Sequence, residues 1–106
     1  MNKKEVRASF RNSVFTRDKH KCRVCGSSGE LDAHHITNRN DIPNGGYVKE
    51  NGISLCSECH IKAEMAYMDY SFEEVPEELI DFRSDKLYSL INSSYEKAYN
   101  KSNDLK

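Results

Sequence analysis

Two pairs of cysteines constrain this chain more than any other feature. Cys22 and Cys25 form one C-x-x-C pair, and Cys56 and Cys59 form another, in a chain of only 106 residues. Two residues between cysteines allow both sulfurs of a turn to bind one ion, and two such pairs complete the tetrahedral set that structural zinc prefers. The spacing therefore predicts a zinc site that joins two distant segments and stabilises a small core.

Cysteine usage and hydropathy together suggest where the chain works. No apolar run approaches the about 20 residues needed to cross a bilayer, and the opening MNKKEVRASFRNS lacks the apolar stretch of a signal peptide. We therefore expect a soluble, cytoplasmic protein without a membrane partner. Thiols stay reduced in that compartment, which favours metal binding over disulfides. A redox protein that exchanges disulfides through its C-x-x-C pairs is the alternative.

Charge is distributed unevenly along the chain. Residues 1–25 contain eight Lys or Arg and two acidic residues, a balance of +6; because the whole chain carries −1, the remainder carries −7. A basic segment beside an acidic remainder is typical of a protein that binds a polyanion such as DNA, although a solvated helix face gives the same count. The residues that we expect to contact DNA are Arg17, Lys19, Lys21, Arg23 and Arg39.

Apolar periodicity outlines the first secondary-structure elements. A helix is predicted over residues 4–17, with its basic residues outward. Its apolar positions at helical spacing are Val6, Phe10 and Val14. Short strands at about 31–36 and 52–55 flank a loop rich in Asn and Gly. A helix with Ser57 as its N-cap follows the second strand, with Ile61, Met65 and Met68 at helical spacing.

The last third of the chain predicts one further helix. It begins after Pro76, with Ser84 as its cap. Its apolar positions are Leu87, Ile91 and Ala98, with Tyr88 and Tyr95 as flanking aromatic residues. This pattern indicates packing rather than chemistry. We expect a single domain over residues 1–106, with a C-terminal helical extension at about 76–100.

Three histidines lie outside the cysteine pairs but next to predicted elements. His60 follows a ligand cysteine on a helix, where neighbours differ by about 100° in direction, so it can face an adjacent site. His34 and His35 are neighbours on a strand, and they converge on one point only if the strand ends there. Asn51 is placed to hold the loop that follows the strand of His34 and His35. Taken alone, the pair is a packing pair and Asn51 an ordinary turn residue.

The segments LDAHHI and ENGISLCSECH, flanked by the two C-x-x-C pairs, resemble the HNH nuclease family. The resemblance covers about residues 10–68, which we take as the motif core. It implies an α+β fold: a small ββα-metal module held together by the four-cysteine zinc site, with flanking N-terminal and C-terminal helices. The closing LYSLINSSYEKA is similar to the tails of small phage and prophage members, which implies a bacterial or phage-infected host and work beside the packaging terminase.

The resemblance also implies a role for each motif residue. His35 is the general base, with its other nitrogen held by a backbone carbonyl, and Asn51 holds the loop. His34 and His60 are ligands of one catalytic divalent ion. Two imidazoles favour Mn²⁺, Ni²⁺ or Co²⁺, and Mg²⁺ fits because phosphate and water supply further oxygens. Many relatives carry another histidine where this chain has Glu64, whose role as ligand or neighbour of a ligand stays open.

The implied function is that of a metal-dependent endonuclease that hydrolyses phosphodiester bonds of double-stranded DNA. The alternative is a noncatalytic zinc-binding module that recognises DNA or a protein. Cleavage that requires added metal separates the first from the second. The sequence leaves open which DNA is cut, whether the product is a nick or a double-strand break, and the oligomeric state.

Overall fold

A computed structural model describes residues 2–105 of the chain. Helix α1 (Lys3–Arg17) leads into two antiparallel strands, β1 (Leu31–His35) and β2 (Gly52–Cys56), and helix α2 (Ser57–Met68) follows β2 directly. Short 3-10 turns fill the connection between the strands. The order ββα matches the expected α+β module with a helix before it.

Helix α1 forms where the apolar spacing predicts it. The side chain of Asn2 caps its first turn by accepting a hydrogen bond from the backbone N–H of Glu5. Phe10 and Val14 are buried and pack directly on β2. A Cβ at Gly52 would lie 2.5–2.7 Å from carbons of these two side chains, so only glycine allows this close approach.

The end of α1 is tied to β2 through a buried carboxylate. Asp18 is 3% exposed and accepts two hydrogen bonds from Arg17, at 2.8 and 2.9 Å. Its second oxygen also accepts the backbone N–H of Ser54 at 2.9 Å. A buried charge needs such partners, and these fix the helix end against the strand.

Helix α2 begins with Ser57 as its first residue, so the prediction that Ser57 is the N-cap is wrong. Cys56 occupies the cap position, with an extended backbone (φ −69°, ψ 167°), because β2 continues without a loop into the helix. The buried face of α2 consists of Cys59, Ala63 and Ala66. The exposed side carries three large apolar side chains, namely Ile61, Met65 and Met68.

The C-terminal region contains two helices, α3 (Ser84–Leu90) and α4 (Tyr95–Asn103), where one was predicted. The break falls at Asn92, whose φ of +53° lies in the left-handed region, and Ser94 then caps α4 by accepting the N–H of Lys97. The predicted cap Ser84 is instead the first residue of α3.

The C-terminal helices pack onto the ββα unit. Their buried apolar side chains belong to the same hydrophobic cluster as Ile53 and Leu55 of β2. The members from this region are Val75, Leu79, Phe82, Leu87, Tyr88 and Ala98. Within residues 2–105, no helix combines the length and the apolar character that crossing a membrane requires.

Candidate active site

The four cysteines converge as the spacing predicts. Their sulfur atoms all lie within 4.8 Å of one another, and Sγ of Cys25 is 3.7 Å from Sγ of Cys56. A Zn–S bond of about 2.3 Å gives a tetrahedral edge of about 3.8 Å, so the cluster fits one ion. All four thiols are free rather than disulfide-bonded. The cluster joins the segment after α1 to the start of α2.

Hydrogen bonds prepare part of this cluster for metal. The Ser27 hydroxyl and backbone lower the pKa of Cys25 to about 6. The backbone N–H of Cys59 lowers the pKa of Cys56, whereas burial raises the pKa of Cys59 itself. Since metals bind the thiolate, the lowered pKa values of Cys25 and Cys56 favour the ligand form, whereas the raised pKa of Cys59 favours the thiol until an ion binds.

A cleft of about 490 Å³ opens on the outer side of β1 and α2. His34, His35 and His60 all line it, so the strand end does bring both neighbouring imidazoles to one cavity. The ring centroids of His34 and His60 are 5.1 Å apart. Among residues 2–105, the four cysteines are the only group of three or more Cys, His, Asp or Glu side chains whose ligand atoms are already assembled.

Two of these histidines are held neutral at pH 7. Burial, with the nearby charges of His60 and His35, lowers the pKa of His34 to about 3. Burial and the positive charge of Arg39 lower the pKa of His35 to about 4. A neutral imidazole is the form that binds a metal ion or accepts a proton, so both side chains are in the state that their implied roles need.

Two aromatic rings fix the orientation of His35. The Phe10 ring stacks on the imidazole at 4.5 Å, and the Tyr47 ring lies perpendicular to it at 4.7 Å. Nε2 of His35 is buried and has no hydrogen-bond partner within residues 2–105. The prediction that a backbone carbonyl holds the second ring nitrogen of His35 is therefore wrong for Nε2. Helix α1 places the Phe10 ring against the imidazole, and apolar contact replaces the hydrogen bond.

Asn51 is fully buried and ties the loop after β1 to the turn before β2. Its Oδ1 accepts the N–H of Thr37 at 2.9 Å, and its Nδ2 donates to the Thr37 carbonyl at 3.0 Å. Nδ2 also donates to the carbonyl of Gly46 at 3.2 Å, where a Cβ would clash with Asn51. The hydroxyl of Tyr88 completes this network by donating to Oδ1 at 2.7 Å.

Two carboxylates contact His60 from opposite sides. Its Nδ1 lies 3.1 Å from Oδ2 of Asp32, and its Nε2 lies 3.0 Å from Oε1 of Glu64. Glu64 is one helical turn after His60, and Asp32 shares a strand face with His34 because it is two residues away. Sequence analysis missed Asp32. The available signal was the alternation of side chains along β1, which places residues two apart on the same face.

Residues 22–64 match the family model described as HNH endonuclease. Residues 22–64 are therefore similar to the HNH endonuclease family, and we call them the HNH segment. The match contains the four cysteines, the three cleft histidines and Asn51, whereas α1, α3 and α4 lie outside it. Searches of the curated proteins and of the solved structures gave no match.

The residues expected to contact DNA lie in different places around the HNH segment. Arg39 lines the cleft that contains the three histidines, and Lys19 and Lys21 are exposed. Arg17 donates to two backbone carbonyls at 2.6 and 2.7 Å, besides its bond to Asp18. Arg23 likewise donates to a carbonyl at the end of α3. Two of the five side chains thus take part in internal contacts, and DNA binding by all five stays a prediction.

Sequence analysis also missed Tyr47, which contacts His35, and Tyr88, which contacts Asn51. Tyr88 was expected to pack only. Its hydroxyl is buried, and a buried tyrosine hydroxyl usually has a partner, which was the signal available. Tyr47 lies in the loop between the strands and offered no periodic pattern that would place it beside His35.

Proposed function

We propose that this chain is a metal-dependent DNA endonuclease that hydrolyses phosphodiester bonds. The observation that carries the proposal is the convergence of His34, His35 and His60 on one cleft within the HNH segment. Tight anchoring of the adjacent loop by Asn51 supports it, since a reacting group needs a fixed position.

Two different metal sites accompany this proposal. Structural Zn²⁺ would bind the four-cysteine cluster, which has four sulfur ligands and leaves no open position for catalysis. A catalytic divalent ion would bind His34 and His60, with the carboxylate of Glu64 close to the second ring. This mixed set of ligands suits Mn²⁺, Ni²⁺ or Co²⁺, and Mg²⁺ also. When bound, the ion neutralises charge on the phosphate and the leaving oxygen.

The side chains of the cleft perform the remaining steps. Neutral His35 takes a proton from water as the water oxygen attacks phosphorus, and the bond from phosphorus to the 3′ oxygen breaks. Arg39 contacts the phosphate, whose negative charge grows in the transition state. The resemblance to the family implies 3′-hydroxyl and 5′-phosphate ends. Asn51 acts at a distance by holding the loop between His35 and Arg39 in place.

The setting of this activity is also part of the proposal. We propose a single domain over residues 1–106, with a motif core at about 10–68, because the C-terminal helices share one apolar cluster with β2. The substrate is double-stranded DNA in the cytoplasm of a bacterial or phage-infected cell. The similarity of the C-terminal segment to phage proteins supports a partnership with a packaging terminase.

One observation favours the alternative, a noncatalytic zinc-binding module for DNA or a protein. Both ring nitrogens of His60 already face carboxylates, so part of the coordinating capacity of this residue is used within the chain. Such a module would hold one zinc ion per chain and show no cleavage with added metal. Metal content and cleavage measured on the same preparation therefore separate the two functions.

The test is nicking of supercoiled plasmid with Mg²⁺, Mn²⁺ or Ni²⁺, beside EDTA. His35→Ala should retain divalent binding but lose about 10² to 10⁴ in rate, because proton transfer is removed. His34→Ala and His60→Ala should bind the divalent ion more weakly and recover activity at higher metal concentration. His20→Ala is the matched control, since His20 is exposed and outside the cleft. Full nicking by all three cleft variants would refute the nuclease function.

A further inference from the structure

A second groove, of about 470 Å³, adjoins the catalytic cleft. It runs between the first turns of α1 and the loop that joins the strands. Its positively charged lining comes from Lys3, Arg7 and Arg39, beside the ring of Tyr47, and we call it the α1 groove. Arg39 lines both cavities, so the α1 groove continues directly from the cleft that contains the three histidines.

Tyr47 connects the two cavities. Its ring lies 4.7 Å from the imidazole of His35. Burial alone would raise the pKa of Tyr47, but the nearby positive groups of Arg39 and Arg7 outweigh burial and lower that pKa. Arg7, Arg39 and Tyr47 thus line one groove next to the candidate base.

The positive charges of this groove are not neutralised within the described chain. Arg17, Arg23 and Arg83 each pair with an aspartate. In contrast, neither Lys3, Arg7 nor Arg39 lies within 4.0 Å of a carboxylate oxygen of residues 2–105. All three are exposed, and no Asp or Glu of the described residues lines the groove.

The positive charge of the α1 groove suits it to bind successive phosphates of a nucleic-acid strand. Guanidinium groups bind phosphate oxygens in a bidentate geometry, and contacts of this kind position a nucleic acid without reading its sequence. The acidic remainder of the chain repels a polyanion, which leaves few surfaces along which DNA can leave the cleft.

We propose that the α1 groove binds the phosphates of the DNA strand that follow directly on the scissile phosphate. Arg39 contacts the phosphate nearest His35, and Arg7 and Lys3 contact the next ones. This inference rests on the proposed function, and it places the strand across the first turns of α1, a surface that the family match does not include.

The first experiment measures binding to a short fluorescent DNA duplex by anisotropy, with all variants in a His35→Ala background so that the duplex stays intact. Between about 50 and 200 mM salt, Arg7→Ala should weaken binding. It should also reduce the magnitude of the slope of log affinity against log salt concentration by about 0.9. Arg7→Lys should retain the slope of the parent. Lys86→Ala removes one exposed positive charge from α3, far from the groove lining, and should also leave the slope unchanged.

The second experiment measures nicking with His35 intact. Arg7→Ala should raise KM while retaining kcat, because it removes a contact to a phosphate that does not react. A slope and a KM equal to those of the parent would refute the α1 groove as the DNA path, while nicking by the parent would leave the nuclease function standing. If the parent fails to nick but Arg7→Ala still flattens the slope, the nuclease function fails and the groove remains a DNA-binding surface.

Discussion

The hydroxyl of Tyr88 donates a hydrogen bond of 2.7 Å to Oδ1 of Asn51, which is 37 residues earlier in the chain. The same hydroxyl lies 2.7 Å from Oγ1 of Thr37. Burial raises the pKa of Tyr88 to about 12, so it stays a protonated donor at neutral pH. Helix α3, which lies outside the family match, thus holds Asn51 and the loop after β1 in place.

Tyr88→Phe should lower both stability and turnover. The variant loses two buried hydrogen bonds, to Asn51 and to Thr37, and each costs about 0.5–1.5 kcal/mol of unfolding free energy, measured by urea denaturation. We expect kcat for plasmid nicking to fall more than KM rises, because Asn51 loses an anchor while the DNA contacts stay. Tyr95→Phe is the control, since Tyr95 is 48% exposed. Unchanged kcat in Tyr88→Phe would reduce its role to packing.

Cys56→Ser should unfold the chain. A four-cysteine zinc site contributes on the order of 10 kcal/mol, which is comparable with the whole stability of a small domain. Circular dichroism melting and metal analysis test this, with Ser57→Ala as the control because Ser57 is exposed and next to the cluster. The assignment would be wrong if Cys56→Ser kept its thermal transition and its nicking activity.

Glu64→Ala should weaken binding of the catalytic divalent ion. Its Oε1 lies 3.0 Å from Nε2 of His60, and loss of a group that supports a metal ligand typically costs 10–100-fold in affinity. Calorimetric titration with Mn²⁺ measures the effect, and more metal should restore nicking. Glu58→Ala on the same helix is the control, since Glu58 pairs with Lys62 instead. Equal affinity in both variants would exclude Glu64 from the metal site.

Arg17→Ala should destabilise the fold, because its side chain ties Asp18, the turn before β2 and β2 itself together. Removal leaves a buried carboxylate with fewer partners, which costs about 1–3 kcal/mol in urea unfolding. Lys19→Ala, which removes an exposed charge two residues later, should leave stability unchanged. Equal stability of the two variants would show that Arg17 is free to bind DNA.

Lys19 and Lys21 test DNA binding by the basic first quarter of the chain without the loss of stability that is expected for Arg17→Ala. Replacing both with Ala should weaken binding to all sequences alike and flatten the salt slope by about 0.9 per lost contact. An unchanged slope in this variant would move the DNA path away from this segment. Compared with the result for Arg7→Ala, this measurement shows whether the DNA path lies near the first turns of α1, which contain Arg7, or beyond its end, where Lys19 and Lys21 follow.

Much of the architecture could be predicted because it depends on residues that are close in sequence. The C-x-x-C spacing needs only a turn to aim two sulfurs at one point, and the cluster formed as expected. The apolar spacing of α1 was correct for the helix and for its buried face. On α2 the spacing predicted the helix, but Ile61, Met65 and Met68 are exposed, and the small residues Ala63 and Ala66 are buried.

The sequence by itself determined the four-cysteine cluster, the ββα order and the family motif, since all three depend on short, local spacings. Only the tertiary structure decided which side chains surround them. Phe10 reaches His35 and Tyr88 reaches Asn51 because helices distant in sequence pack on the same strands. Periodicity marks a helix but carries no information about its partner, and a buried polar group selects its partner only after packing has removed water.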